Sequence, residues 1–221
     1  DTYLKVHDIN SKIMESNTIM NSSIAANFSK NNSNLDINMN VYEDLSKTEE
    51  RYEFVAPNYD YKNKLSISEE LGMFNFQSRG YYKNYETNKK QTKLVNDFHW
   101  SSNDYINDFG IITKFEGNLK NANYRSKNNS DHKNDKNNIE LNGAISLISS
   151  LPLEKRSENY KQTLTPKLML RTAPGHMRNM SDNSLKLGIS NLYSLNKLSA
   201  IDVVETGTSL TLGTDYNYKD K

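Results

Sequence analysis

The sequence contains no cysteine, so it forms neither a disulfide nor a thiolate metal centre. It has no run of about 18 apolar residues, which excludes a transmembrane helix. Only four prolines and nine scattered glycines punctuate the 221 residues. No P-loop, G-x-S-x-G or G-x-G-x-x-G pattern occurs among them. Charge of one sign is also missing: 28 basic and 27 acidic residues interleave to a net +1, with no basic stripe for nucleic acid. Apolar residues make up 35% of the chain and mean hydropathy is −0.84, low for an ordinary packed core. Because the chain starts at Asp1 without a Met or a charged-then-apolar leader, we expect a mature or truncated product.

Two classes fit such a low hydropathy: a disordered chain, or a barrel whose strands show one apolar face. Disordered chains are poor in aromatics, whereas 14 Tyr, 7 Phe and one Trp are present here, which points to order. The 32 Asn gather between periodic segments. A bias toward AT-rich codons would produce the same excess. Either way, Asn tolerates turns and depresses helix, so it suits many strands joined by polar loops.

Strict alternation is the dominant signal. Leu35, Ile37, Met39 and Val41 alternate with Asp36, Asn38 and Asn40. Between 109 and 120, Phe109, Ile111, Phe115 and Leu119 alternate with Lys114, Glu116, Asn118 and Lys120. Between 139 and 147, Ile139, Leu141, Ile145 and Leu147 oppose Glu140, Asn142 and Ser146. Between 160 and 171, Tyr160, Leu164, Pro166, Leu168 and Leu170 oppose Lys161, Thr163, Thr165, Lys167 and Arg171. Leu185, Leu187, Ile189, Tyr193 and Leu195 share one face of an expected strand over 185–195. Leu210, Leu212, Tyr216 and Tyr218 oppose Ser209, Thr211, Asp215 and Asn217. Weaker segments cover Tyr3–Asp8, Thr18–Phe28, Arg51–Tyr61, Gly72–Tyr82 and Lys93–Ser102. The total is about eleven strands. Turn and loop signals fall at Asn31–Asn34, Tyr85–Lys90, Arg125–Asn138 and Thr172–Asn183, the third being a solvent loop almost entirely of Lys, Asn, Asp and Ser.

Alternation alone also describes a soluble sandwich. Several segments here hold it for about 9–11 residues, the length of a tilted membrane-spanning strand, and carry full charges in mid-strand, which a water-filled lumen tolerates. Aromatic residues cluster near strand ends (Tyr52, Phe54, Tyr59 and Tyr61, then Tyr81, Tyr82 and Tyr85) as interfacial girdles do. We therefore expect an all-β, antiparallel transmembrane β-barrel, partial in this chain. No domain boundary is visible, so residues 1–221 read as a portion of one barrel domain with no second domain. Lys114, Glu116, Glu140, Asn142, Lys161, Thr163, Lys167 and Arg171 are the candidate lumen-facing residues. Pro166 predicts a strand irregularity, since proline cannot donate to the ladder.

Catalytic and metal signals are weak. His7, His99, His132 and His176 lie in different segments without metal-ligand spacing. The acidic pairs Glu49-Glu50 and Glu69-Glu70 sit beside turns with no apolar flank to raise a pKa. No Ser/His/Asp grouping is recognisable, so we expect no enzyme, no cofactor and no metal.

Asn159-Tyr160-Lys161-Gln162-Thr163-Leu164-Thr165-Pro166-Lys167 resembles the "tltP" strand of the LptD family of LPS-assembly proteins. An Ala173-Pro174 step, a polar loop, Asn191-Leu192-Tyr193-Ser194-Leu195-Asn196-Lys197-Leu198, Ile201-Asp202 and the segment Gly207 to Tyr216 follow as they do in that family. Asp1-Thr2-Tyr3-Leu4, Glu15-Ser16 and Arg51-Tyr52-Glu53 leading to Pro57 resemble earlier family segments in the expected order. Between Asn191 and Val203 that family commonly has Leu-Phe, an Arg, a Gly and Asp-Arg-Ile; the sequence departs at Tyr193, Lys197, Ala200 and Val203, so the arginines of the pattern are missing. The resemblance implies a very large barrel of the Gram-negative outer membrane, preceded by a periplasmic β-jellyroll. Such a barrel is plugged by an LptE-like lipoprotein and receives lipopolysaccharide from periplasmic bridge proteins. It releases that lipid to the outer leaflet through a lateral gate between its first and last strands. This chain would then be a central piece of the wall, outside the gate. The alternatives from the residues alone are another transport barrel (a porin or TonB-dependent receptor) or a soluble secreted β-rich adhesin.

Overall fold

β-branched and aromatic residues at every second position favour an extended backbone with one apolar and one polar side. In the computed structural model of the chain, that pattern forms strands and no helix among the described residues, which are 14–16, 18–68, 70–85, 89–128, 137–176, 187–197 and 202–220. The strands are β1 (Met14–Ser16), β2 (Ile19–Lys30), β3 (Ser33–Asp44), β4 (Tyr52–Ser68), β5 (Gly72–Tyr85), β6 (Lys89–Ser101), β7 (Tyr105–Ile106), β8 (Ile112–Lys127), β9 (Asn138–Ser150), β10 (Leu153–Arg156), β11 (Tyr160–Ala173) and β12 (Gly207–Asp220). They pair in the order β1-β2-β3-β4-β5-β6-β8-β9-β11-β10, with β12 on β11 and β7 on β8. Each long strand pairs with its neighbours in sequence, the simplest way to join antiparallel strands. Nine are 12 to 17 residues long, far beyond the ~5–6 of soluble sheets.

Nine expected strands are therefore present. The expected segment Tyr3–Asp8 lies outside the described residues, as does most of the polar loop between β8 and β9. Several boundaries move: Ser33-Asn34, Tyr85, Lys89-Lys90 and Thr172-Ala173, expected in loops, belong to β3, β5, β6 and β11. The segment at 109 begins as strand only at Ile112, and Phe109 stands in a turn. Arg125–Lys127 belong to β8 rather than to the loop. The strand expected over 185–195 does not form: the described residues 187–197 turn back on themselves, with Asn191 N–H bonded to Gly188 O (3.2 Å) and Ser194 N–H to Asn191 O (3.1 Å). The Asn191 side chain, accepting from Gly188 N–H at 2.8 Å, offers the backbone a local alternative to a ladder.

The chain divides into two compact units, and β4, β5, β6, β8 and β9 run from one into the other. The first comprises Asp1–Asn63, Gln77–Asn96 and Ala122–Glu140. Here β2 and β3 form a hairpin around Asn31, which takes φ 49°, a left-handed conformation that Asn adopts more readily than most side chains. Register places Ile24 against Met39 and Phe28 against Leu35 on one side, Asn27 against Asp36 on the other. Between β3 and β4 the register slips once, between Asn38 and Asn40, where β4 carries an extra residue at Ala56-Pro57. That bulge reverses parity along β4. Tyr59 and Tyr61 (odd) and Tyr52 and Phe54 (even) consequently share the apolar side, facing Ile37, Leu35, Glu43 and Val41 respectively. Asp60 and Glu53 share the polar side.

The second unit comprises Lys64–Phe76, Asp97–Asn121 and Leu141–Lys221. Its spine is β11, paired with β12 without a slip from Tyr160↔Asp220 to Ala173↔Gly207. On its other edge β11 meets β9 over 167–172 and β10 over 161–164. The irregularity expected at Pro166 thus appears in the neighbouring line: β9 stops at Ser150 and β10 starts at Leu153, with Leu151-Pro152 between. β11 itself continues through Pro166, whose carbonyl accepts from Leu151 N–H at 3.1 Å.

Candidate functional site

The polar side of the sheet is the candidate site. In the first unit it holds short-range ion and amide pairs. Asp60 accepts from Gln77 Nε2 at 2.7 and 3.0 Å and pairs with Lys62 at 3.2 Å. Lys83 pairs with Glu53 at 2.7 Å, and Asn27 and Asn34 both donate to Asp36. Glu140 accepts from Tyr124 Oη at 2.8 Å.

In the second unit, Lys114 and Glu116 pair at 3.2 Å, on the side of β8 away from the exposed Phe115 and Leu119. Four residues beyond Glu116, Lys120 is 4% exposed and pairs with Asp97 of β6 at 2.7 Å, while Asn118 also donates to Asp97. A buried ammonium needs such a partner, because removing it from water without one is costly. Asn142 of β9 is half-buried on the side opposite Leu141. Lys161 pairs with Glu154 at 2.7 Å; Thr163 lies between Glu154 and Asn217 in register; Lys167 pairs with Asp215.

Arg171 organises the most enclosed part. It is 1% exposed, and its guanidinium donates from Nε to Leu195 O and from Nη2 to Glu205 O. Those carbonyls belong to two stretches of the segment between β11 and β12, residues 187–197 and 202–206, which we call the strap. Leu195 and Val204 pack on Ala144 and Ala173, and Val203 is 1% exposed. Lys197 Nζ reaches Ser209 Oγ at 3.1 Å. Asn196 ties the two stretches together, donating to Val203 O at 2.9 Å and accepting from Glu205 N–H at 3.2 Å. Tyr193 lies over Gly213 of β12, and Lys167 Nζ sits 5.9 Å from its ring centroid. A Cβ at Gly213 would overlap the Tyr193 hydroxyl, so glycine here lets the ring lie close on β12.

The polar side therefore carries all eight residues expected from the sequence, Glu140 in the first unit and the other seven in the second. It brings Lys114 to Glu116, and Lys167 and Arg171 to the strap, but gathers them into no single constellation. Sequence reasoning missed Asp97 and the strap residues Asn196, Lys197 and Glu205. Lys120 was visible as one more charge on the polar side of its strand, but not as a buried one. Among the described residues no group of three His, Cys, Asp or Glu is placed to hold a metal ion.

No curated protein matches the chain in sequence. A family model described as LptD, LPS transport system D, matches residues 1–221, and the all-β antiparallel sheet is the architecture that family's barrel requires, which leaves the porin, receptor and adhesin alternatives unsupported. The chain belongs to the LptD family of lipopolysaccharide transport and assembly at the outer membrane.

Proposed function

We propose that residues 1–221 form a stretch of wall in one integral outer-membrane barrel domain, with the polar side of the sheet lining a hydrated lumen and the apolar side meeting lipid. The sorting of exposed apolar side chains carries this reading. Ile24 (76% exposed), Ile139 (73%), Leu141 (67%), Leu212 (67%) and Ile145 (62%) all stand on the side opposite the ion pairs. Soluble proteins rarely leave so many large apolar side chains of their strands in water; a bilayer satisfies them. Lys114, Glu116, Glu140, Asn142, Lys161, Thr163, Lys167 and Arg171 then face the lumen, where a plug lipoprotein of the LptE kind and the sugar headgroup of lipopolysaccharide would meet them. Periplasmic bridge proteins would deliver that lipid.

The connections supply the orientation. At one end of the long strands they span residues 31–32, 69–71, 102–111 and 151–159; at the other, 45–51, 86–88, 128–137 and 174–206. The second end carries by far the longest connection, 174–206, and outer-membrane barrels keep their shorter turns in the periplasm and long loops outside, so the strap enters the lumen from the cell surface. The wall binds and guides; it catalyses no covalent step.

Photo-crosslinking side chains introduced singly into the whole protein in living cells test the assignment. Positions Glu116 and Asn142 should crosslink to the plug, and Leu141 and Ile145 to membrane lipid and never to the plug. The reverse pattern would overturn the sidedness.

A further inference from the structure

The hairpin tip between β6 and β8 is not used by the wall. β7 continues the line of β6 past Ser101 and pairs with the start of β8, Tyr105 with Thr113 and Ile106 with Ile112. Three large apolar side chains stand out from it: Phe109 (85% exposed), Ile106 (69%) and Tyr105 (52%). Exposure on this scale at a flexible loop would be unremarkable, but this tip is built rigidly. Asn107 N–H donates to Ile111 O (3.1 Å) and Gly110 N–H to Asn107 O (2.9 Å). The Asn107 side-chain oxygen accepts from the N–H groups of Phe109 (3.1 Å) and Ile111 (2.9 Å). Gly110 takes φ 78°, which lets the turn close.

At its base Ser102, 4% exposed, locks the tip to β8: its N–H donates to Phe115 O and its hydroxyl accepts from Phe115 N–H, each at 2.9 Å. The Tyr105 ring meets Phe115 edge-on at 6.1 Å, which holds the tip toward the apolar side of the sheet. Beside it, Trp100 donates its indole N–H to Leu71 O at 2.8 Å, leaving Leu71 54% exposed.

We propose that this tip is a membrane-interface anchor: Tyr105, Ile106 and Phe109 enter the headgroup–acyl boundary of the phospholipid leaflet at the short-turn end of the barrel. The inference rests on the sidedness proposed above, since the tip continues the apolar side beyond the last ladder pairs of β6. Backbone that enters an apolar phase must satisfy its own polar groups, and four donors of this turn (Asn107, Phe109, Gly110 and Ile111) do so internally. Tyrosine and flanking polar groups suit a boundary wet on one side only. The charge fits a zwitterionic lipid: no Lys or Arg occurs between Ser101 and Thr113, while Asp104 and Asp108 are exposed. Those carboxylates would repel anionic headgroups and can meet an ethanolamine ammonium.

Tryptophan placed at 109 (Phe109→Trp), and separately at 106 (Ile106→Trp), reports the depth. The whole protein is refolded into phosphatidylethanolamine–phosphatidylcholine vesicles, and its emission is read as a difference from the parent. Both variants should show blue-shifted emission, stronger quenching by lipids brominated near the carbonyl than at the chain end, and little quenching by acrylamide. Ile145→Trp, in mid-strand, should be quenched most by the chain-end bromine. Quenching at 145 with acrylamide-accessible tryptophans at 106 and 109 would overturn the anchor alone. Protection at 106 and 109 from both quenchers would do so too, by showing that protein covers the tip. Failure of lipid quenching at 145 would instead overturn the sidedness on which the anchor rests.

Discussion

Replacing Arg171 with Met tests whether the strap is held by one side chain. The substitution keeps length and apolar volume but removes the fork that donates to Leu195 O and Glu205 O. Hydrogen bonds from charged donors are worth about 1.5–3 kcal/mol each, so loss of the pair weakens strap docking by roughly 3–6 kcal/mol. At 1.4 kcal/mol per tenfold, the open state rises by about two to four orders of magnitude. The ladder between β11 and β12 is main-chain, unbroken from Tyr160 to Ala173, so the barrel should fold and resist detergent as before. Hydrogen exchange followed by mass spectrometry should show the loss confined to residues 187–197 and 202–206, and limited proteolysis from the cell surface should cut there. Arg171→Lys keeps the charge but presents a single ammonium instead of the fork, so it should fall between. Unchanged exchange in Arg171→Met would show that the apolar contacts of Leu195, Val203 and Val204 hold the strap unaided, and the latch argument would fail.

Arginine at Ile145 should cost about 2–4 kcal/mol in a refolding titration if that position is near the bilayer midplane, and arginine at Asn142 little; equal costs would refute the sidedness. Asp97→Ala leaves the 4%-exposed Lys120 without its carboxylate and should destabilise by about 3–5 kcal/mol, whereas adding Lys120→Met should recover much of that; an additive cycle would refute the pairing. Gly213→Ala should loosen the strap by displacing the Tyr193 hydroxyl, and Tyr193→Phe should rescue it in the same exchange experiment. Gly72→Ala should impair refolding far more than a surface change, because Gly72 holds φ 83° and an added Cβ would overlap the Ser101 carbonyl.

The strands were legible because one-sided burial writes a period of two into the sequence, and nine expected segments became strands. What did not show was geometry set by a second element. The bulge at Ala56-Pro57 is invisible to a parity count, which by itself would put Tyr52 and Phe54 on the side opposite Tyr59 and Tyr61. Pro57 marked the place without stating the consequence. Burial of Lys120 depended on Asp97 of β6, more than twenty residues away in sequence, and nothing local distinguished it from Lys114, whose side chain is 37% exposed. Likewise Arg171 looked like one more lumen charge until the strap covered it.

The segment 185–195 shows why alternation misled. Alternation reports that a chain lays one side on something apolar and the other on something polar, which any segment resting on a wall must also do. Leu195 is 6% exposed against Ala144 and Ala173, while Leu187 is 64% and Ile189 98% exposed. Its apolar residues therefore do not share a face, as a strand would require. Strand and strap differ in where the backbone polar groups go. In a strand the neighbouring ladder takes them; in the strap they are taken by Asn191, Asn196 and Arg171. Those three side chains are the local sign of an inward-folded segment. Asparagines in and just past an alternating stretch supply backbone partners from within the strap, and an arginine on the facing wall supplies a fork for two of its carbonyls. A strand flanked by ladders has no use for either.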